Sequence, residues 1–165
     1  MSAGGKPTDG GNLLLSEEER DALLAEEPNA STFIKPFSMG AEFINGIPRY
    51  CIWMDGIDPA AIDTLPLVQE KVERVREFRL ASKKEATRKK ASTPWLFDEV
   101  RPPKGASYIA LAAVSSERRE YAPMGFVTNG MIPGNQLYYV SNGTLYDFGI
   151  MLSEFHNAWM RTVAG

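Results

Sequence analysis

The sequence predicts an α+β domain: a mixed, mainly antiparallel sheet flanked by a long middle helix and a C-terminal helix. Three patterns point to it. Runs of β-forming residues at 108–114, 124–127 and 136–140 lie close together and are bounded by turn residues. Leu65, Val68, Val72, Val75 and Phe78 recur at three- and four-residue steps and form one apolar helical stripe. Phe148, Met151, Leu152, Phe155, Trp159 and Val163 form a second, near the end of the chain. With 165 residues, 44% apolar and 24% charged, the chain can bury a sizeable core in one domain, which excludes wholesale disorder. No apolar run approaches the roughly 18 residues of a membrane helix, and the amino terminus lacks a basic flank followed by an apolar stretch. A cytoplasmic protein with no membrane partner is expected.

Taken in order, residues 1–12 hold Gly4, Gly5, Gly10 and Gly11 without apolar periodicity, and read as a linker or flexible segment, or one ordered only by a neighbour. The domain proper is placed at 13–165. Ser16 and Glu19 have capping-box spacing and Glu17–Glu19 fill a first helical turn, so a helix should run to about Glu27, stopped by Pro28. Residues 32–37 read as a strand that Pro36 restricts to an edge or an end. A single helical turn capped by Ser38, the tight-turn pair Asn45-Gly46 and a second strand at 49–54 follow. Cys51, inside that apolar strand, reads as an inert buried thiol in a reducing compartment. Asp58-Pro59 caps and opens a short helix. The longest helix starts after Leu65-Pro66 and should reach about Lys90, where Trp95 and Phe97 follow as core anchors or stacking platforms. Arg101-Pro102-Pro103 is a stiff connector into the strand at Tyr108, and the last helix should span 145–163 with Glu154, His156, Asn157 and Arg161 on its polar side. The lone histidine fits a structural hydrogen-bonding role better than a catalytic one.

The chemistry concentrates where the strand beginning at Tyr108 turns polar. Ser115, Ser116, Glu117, Arg118, Arg119 and Glu120 follow one another there. Core strands that feed polar clusters into loops are how rigid scaffolds present binding groups. The guanidiniums of Arg118 and Arg119 are forked donors suited to phosphate or guanine edges, and the serine hydroxyls can bond phosphate oxygens. The same residues also fit a solvated loop of self-paired charges. The Asn135-Gln136 turn offers amides of the kind that bond adenine in the major groove. The net charge of −3 hides an asymmetry: residues 71–90 hold 9 basic and 3 acidic side chains, against 4 and 12 in residues 1–70. Lys83, Lys84, Arg88, Lys89 and Lys90 therefore supply the one dense basic stretch, either as phosphate contacts or as the cations a helix C-terminus attracts anyway. There is no Cys/His cluster for zinc, no glycine-rich phosphate loop and no Gly-x-Ser-x-Gly nucleophile elbow, so neither a metal site nor catalysis by this chain alone is expected.

Six stretches carry a resemblance. The segment from Lys6 to Ser16, Glu42-Phe43-Ile44-Asn45-Gly46 with Arg49-Tyr50-Cys51-Ile52-Trp53, and Arg79-Leu80-Ala81-Ser82-Lys83-Lys84 with Thr87-Arg88-Lys89 are three of them. Thr93-Pro94-Trp95-Leu96-Phe97, the run from Val114 to Tyr121, and Phe148-Gly149 through His156-Asn157-Ala158-Trp159-Met160 complete the set. Together they resemble the target recognition domain of MmeI-like (type IIL) restriction–modification enzymes and adenine-N6 DNA methyltransferases, in the family's order over almost the whole chain.

The resemblance implies a reader of double-stranded DNA that orients the duplex so that an upstream methyltransferase domain of the same polypeptide can flip and methylate an adenine. S-adenosylmethionine would then belong to that catalytic domain. This chain has neither an Asn/Asp-Pro-Pro-Tyr nor a Phe-x-Gly-x-Gly pattern. Ser115, Ser116, Arg118, Arg119, Asn135 and Gln136 would contact DNA, with Lys83, Lys84, Arg88 and Lys89 adding non-specific attraction. Two departures are visible. The family continues past the motif resembling Ala164-Gly165 into a strand with base-reading side chains, which implies a fragment truncated at its C-terminal end. The position before Val114, often polar in the family, is Ala113, whose methyl could touch a thymine methyl or leave room. A protein–protein module within a multidomain enzyme is the alternative that composition leaves open.

Overall fold

The computed structural model describes residues 1–105, 107–114, 116 and 119–164, with the side chain of residue 164 excepted. The elements are β1 (Ser2–Ala3), β2 (Leu14–Leu15), α1 (Glu17–Glu26), β3 (Ile34–Ser38), α2 (Gly40–Asn45), β4 (Tyr50–Ile52), α3 (Pro66–Leu80), α4 (Glu85–Lys89), β5 (Tyr108–Ala112), β6 (Met124–Val127), β7 (Ile132–Pro133), β8 (Leu137–Ser141), α5 (Leu145–Leu152) and α6 (Glu154–Ala164). The α+β class holds, but the strands divide into two four-stranded sheets. One runs β2-β4-β3-β7, antiparallel except for the parallel β3–β7 pair. The other, β1-β8-β5-β6, is antiparallel throughout.

The main core lies between the first sheet and α3. Val68, Val72 and Val75, from the apolar stripe of α3, pack with Leu13, Leu15, Phe37, Ile52 and Met54. Each such side chain contributes roughly 1.5–3 kcal/mol when removed from water. Phe97 sets its ring edge-on to Trp53 at 5.0 Å and to Phe37 at 5.9 Å, which makes it a core anchor. Trp95, half-buried, packs against the same core. Cys51 is fully buried there too, and burial pushes its thiol well above the ordinary range. The Ser16–Glu19 capping box forms as the spacing requires. Glu27 does something sequence spacing does not reveal: its buried carboxylate accepts from the Leu67 and Val68 N–H groups at 2.6 and 3.3 Å and so caps α3 from forty residues away.

Four expectations need correction. Residues 1–12 are not a linker: Ser2 and Ala3 pair with Tyr139 and Tyr138 on β8, Lys6 pairs with Glu99, and Asp9 is buried with its carboxylate accepting the Leu13 N–H. The middle helix does not reach Lys90. It ends at Leu80, a separate helix α4 starts at Glu85, and the carbonyls of Lys90 and Thr93 beyond it accept from the buried guanidinium of Arg79. The C-terminal helix breaks at Ser153, whose extended backbone separates α5 from α6. Pro36 sits in a strand with neighbours on both sides, yet costs no ladder bond. The Phe37 N–H points to the carbonyl of Arg49, just before β4, so the Pro36 nitrogen faces the other side, where β7 pairs only from Phe37 onward.

Candidate nucleic-acid interface

Strand β5 is the middle of the second sheet, with β8 on one side and β6 on the other. It is anchored by Tyr108, whose buried ring meets Tyr139 edge-on at 5.8 Å and whose hydroxyl donates to the Met131 carbonyl at 2.7 Å. Burial, with Tyr139 adding, raises that phenol well above its usual range, so it remains a donor. The strand pair closes where the Ala112 N–H donates to the Pro123 carbonyl at 3.0 Å. Residues 113–123 therefore form a long loop at the end of an antiparallel pair. This is a rigid scaffold presenting an irregular segment.

The next bond decides what the loop stands beside. The Ala113 N–H donates to the Gln136 carbonyl at 2.9 Å, which brings the Asn135-Gln136 turn against the root of the loop. Asn135, Gln136, Ala113, Ser116, Arg119 and Glu120 are all exposed there, and Val114 is 79% exposed. The Arg119 N–H donates to the Ser116 carbonyl at 3.0 Å and turns the chain. Ser115 and Arg118 lie outside the described residues. Neighbouring Glu120, with some desolvation and Glu154 adding, raises the Tyr121 phenol, while Arg161 opposes it.

Two residues from the polar side of the last helix reach this loop. Asn157, nearly buried, accepts the Ala122 N–H at 3.2 Å. Arg161, one turn further along α6, donates to the carbonyl of Arg119 at 3.1 Å and to that of Glu120. The apolar stripe of α6 points the other way, with Phe155 85% exposed and Trp159 and Val163 more than half exposed. The only available signal was the i, i+4 spacing of Asn157 and Arg161, which places them on one face without saying what that face meets.

The basic segment lies elsewhere in the fold, at the α3–α4 corner. Lys83 and Lys84 are exposed there. Arg88 is partly committed, donating to the Ser82 and Lys83 carbonyls at 2.9 Å each, and Lys89 pairs with Glu85 at 2.9 Å. Lys83, Lys84, Arg88 and Lys89 thus form a solvated basic corner, partly spent on closing its own turn. Arg49 is a further cation: it lines a cleft with Glu42, Phe43 and Asn129, and its Nε is buried without a hydrogen-bond partner among the described residues. Among the described residues, no group of three or more His, Cys, Asp or Glu could hold a metal ion, and no helix is long and apolar enough to cross a membrane.

Comparison with known proteins bears directly on this geometry. The family described as "MmeI, target recognition domain" matches residues 1–165, the whole chain. The chain belongs to the MmeI target recognition domain family. Among MmeI-type relatives, a solved structure of the type IIL restriction–modification enzyme MmeI in complex with DNA superposes with a TM-score of 0.93. It is 39% identical over 98% of this chain and 22% of that one. DNA methyltransferase A of Bacillus subtilis (strain 168) is 35% identical over 162 residues, 98% of this chain and 18% of that protein. The chain spans about one fifth of the length of the relatives it matches.

Proposed function

We propose that this MmeI-type domain reads the sequence of double-stranded DNA on behalf of an adenine-N6 DNA methyltransferase, in a polypeptide that also carries the catalytic domain. The observation that carries the reading is the agreement in fold, TM-score 0.93 at 39% identity, with an enzyme solved on DNA. The local geometry supports it: a polar loop at 113–123 and an amide-bearing turn at 135–136 share one end of a rigid sheet. Ser115, Ser116, Arg118 and Arg119 are proposed to meet phosphates or base edges, and Asn135 and Gln136 base edges. Lys83, Lys84, Arg88 and Lys89 would add attraction that is indifferent to sequence. S-adenosylmethionine supplies the methyl group in the proposed catalytic domain. The residues here have no pattern that fits it, so its chemistry is not routed through this chain. Whether the larger enzyme also cuts DNA is a separate property of its other domains.

Salt dependence tests the assignment. Each phosphate contact adds about 0.9 to the slope of log K against log salt. Arg119→Ala and Arg118→Ala in the full-length enzyme should each weaken DNA binding, and a lost phosphate contact should reduce the slope by about one. If both variants leave affinity and slope unchanged, the site is wrongly placed. The exposed apolar side of α5 and α6, including Leu145 at 80% and Phe155 at 85%, favours a second role as an interface with another domain. Such binding should change little with salt.

A further inference from the structure

We propose that Asn157 and Arg161 are positioning residues: a latch by which α6 fixes the backbone at Arg119, Glu120 and Ala122, and so sets the geometry in which the loop reads DNA. The inference rests on the recognition role argued above. Asn157 joins three pieces of chain. Its Oδ1 accepts the Ala122 N–H, and its Nδ2 donates to the Ser153 carbonyl at 2.9 Å and to the Met151 carbonyl at 3.4 Å. The Ser153 hydroxyl accepts the His156 N–H at 3.2 Å, so it caps α6 while donating to the Ile150 carbonyl at 2.7 Å. The break between α5 and α6 is therefore tied into the same hydrogen-bond network as Asn157.

The latch grips main chain only: one N–H at Ala122 and two carbonyls at Arg119 and Glu120. Because these bonds are made to backbone groups, they do not depend on which side chains stand at positions 119, 120 and 122. The latch also explains why the polar side of an amphipathic helix faces the protein while Phe155, Trp159 and Val163 face outward. Reading a base edge requires placement within a fraction of an ångström, which a loop without such support does not provide. The donor pattern fixes the Asn157 amide in one orientation, because its oxygen meets an N–H and its nitrogen meets two carbonyls.

The test uses Asn157→Asp, Arg161→Ala and Arg161→Lys. Asn157→Asp keeps the shape and the acceptor but turns an oxygen toward two carbonyls, so this variant should open the latch. Amide exchange at Ala122 is followed on this chain. Affinity is measured with the full-length enzyme, on a duplex selected from a random-sequence library and on unselected duplex. The expected result is faster Ala122 exchange in Asn157→Asp. With it, Asn157→Asp and Arg161→Ala should each lose roughly tenfold in discrimination, the worth of one good base contact, with the salt slope unchanged and Arg161→Lys restoring most of the loss. Unchanged exchange in Asn157→Asp overturns the latch, and faster exchange with intact discrimination reduces it to a structural contact. A uniform loss on all duplexes with a slope lower by about one would make Arg161 a phosphate ligand instead. If the unmutated enzyme selects no sequence at all, the recognition role itself fails and the proposal falls with it, a result visible before any variant is made.

Discussion

Arg79 is the residue whose loss should damage the fold most. Its side chain is fully buried, and its guanidinium donates to five carbonyls: Pro7 at 2.9 Å, Thr8 at 3.0 Å, Lys90 at 2.9 Å, Thr93 at 3.0 Å and Leu96 at 2.7 Å. Burial pulls its pKa below the ordinary arginine value, with Asp98 and Asp9 opposing, but an arginine at this distance from neutrality stays charged. Arg79→Leu keeps the volume roughly constant and removes every donor. Charge-assisted bonds contribute about 1.5–3 kcal/mol each. They are not additive here, since one guanidinium makes all five and the cost of burying its charge opposes them. A loss of about 3–5 kcal/mol is the working figure, comparable to breaking a buried ion's partners. For a domain of this size that lowers Tm by roughly 6–20 °C, at about 2–4 °C per kcal/mol. Arg79→Lys should fare little better, because an ammonium has three donors and no fork. Urea unfolding followed by the fluorescence of Trp53 and Trp95 measures it. A change of less than about 1 kcal/mol would refute the idea that Arg79 pins the amino-terminal segment and the α3–α4 corner together.

Other predictions are narrower. A Cβ at Gly4 would collide with the carbonyl oxygens of Gly134 and Pro133, so Gly4→Ala should undock β1, with a cost of about 1–3 kcal/mol and faster exchange of the Gly5 N–H. The Thr144 hydroxyl and N–H hold the Asp147 carboxyl below its usual range. A depressed folded pKa contributes stability above the unfolded value near 3.8 and loses it as pH falls through the folded one. The α5 N-terminus should therefore fray only in acid, and Thr144→Ala, which removes the hydroxyl and keeps the N–H, should move the NMR titration of Asp147 part of the way up toward the ordinary carboxylate range. Cys51 should resist thiol reagents in the native protein and react only on unfolding, as its burial and raised pKa require.

What the sequence made legible was local. The Ser16–Glu19 box, the Asp58-Pro59 start, the antiparallel β5, β6 and β8, and the neighbourhood of the loop and the Asn135-Gln136 turn all follow from residues close to one another in the chain. The misses have a common cause in distance along the chain. Arg79 is one of four arginines and lysines spaced through an amphipathic helix, and nothing nearby marks it as the one whose partners lie up to 72 residues away. Gly4, Gly5 and Gly10 looked like linker composition. Gly4 and Gly5 allow backbone to approach backbone at Pro133 and Gly134 and at Glu99, and Gly10, at φ +64°, lies under the Phe78 ring. The end of α3 has no Pro or Gly to announce it; Arg88 satisfies the Ser82 and Lys83 carbonyls just past the break, and Arg79 the Lys90 carbonyl beyond α4. The polarity of α6 is legible in the sequence and its orientation is not. An apolar face normally turns inward, and here Asn157 and Arg161 do so instead.

The central claim is that this domain chooses the DNA sequence on which a neighbouring catalytic domain acts. Exchanging residues 1–165 for the matching segment of an MmeI-type enzyme, and sequencing the methylated sites of the product, tests it directly. Methylation should move away from the recipient's own sequence toward one set by the incoming domain. An active chimera that still methylates the recipient's sequence unchanged would contradict the account.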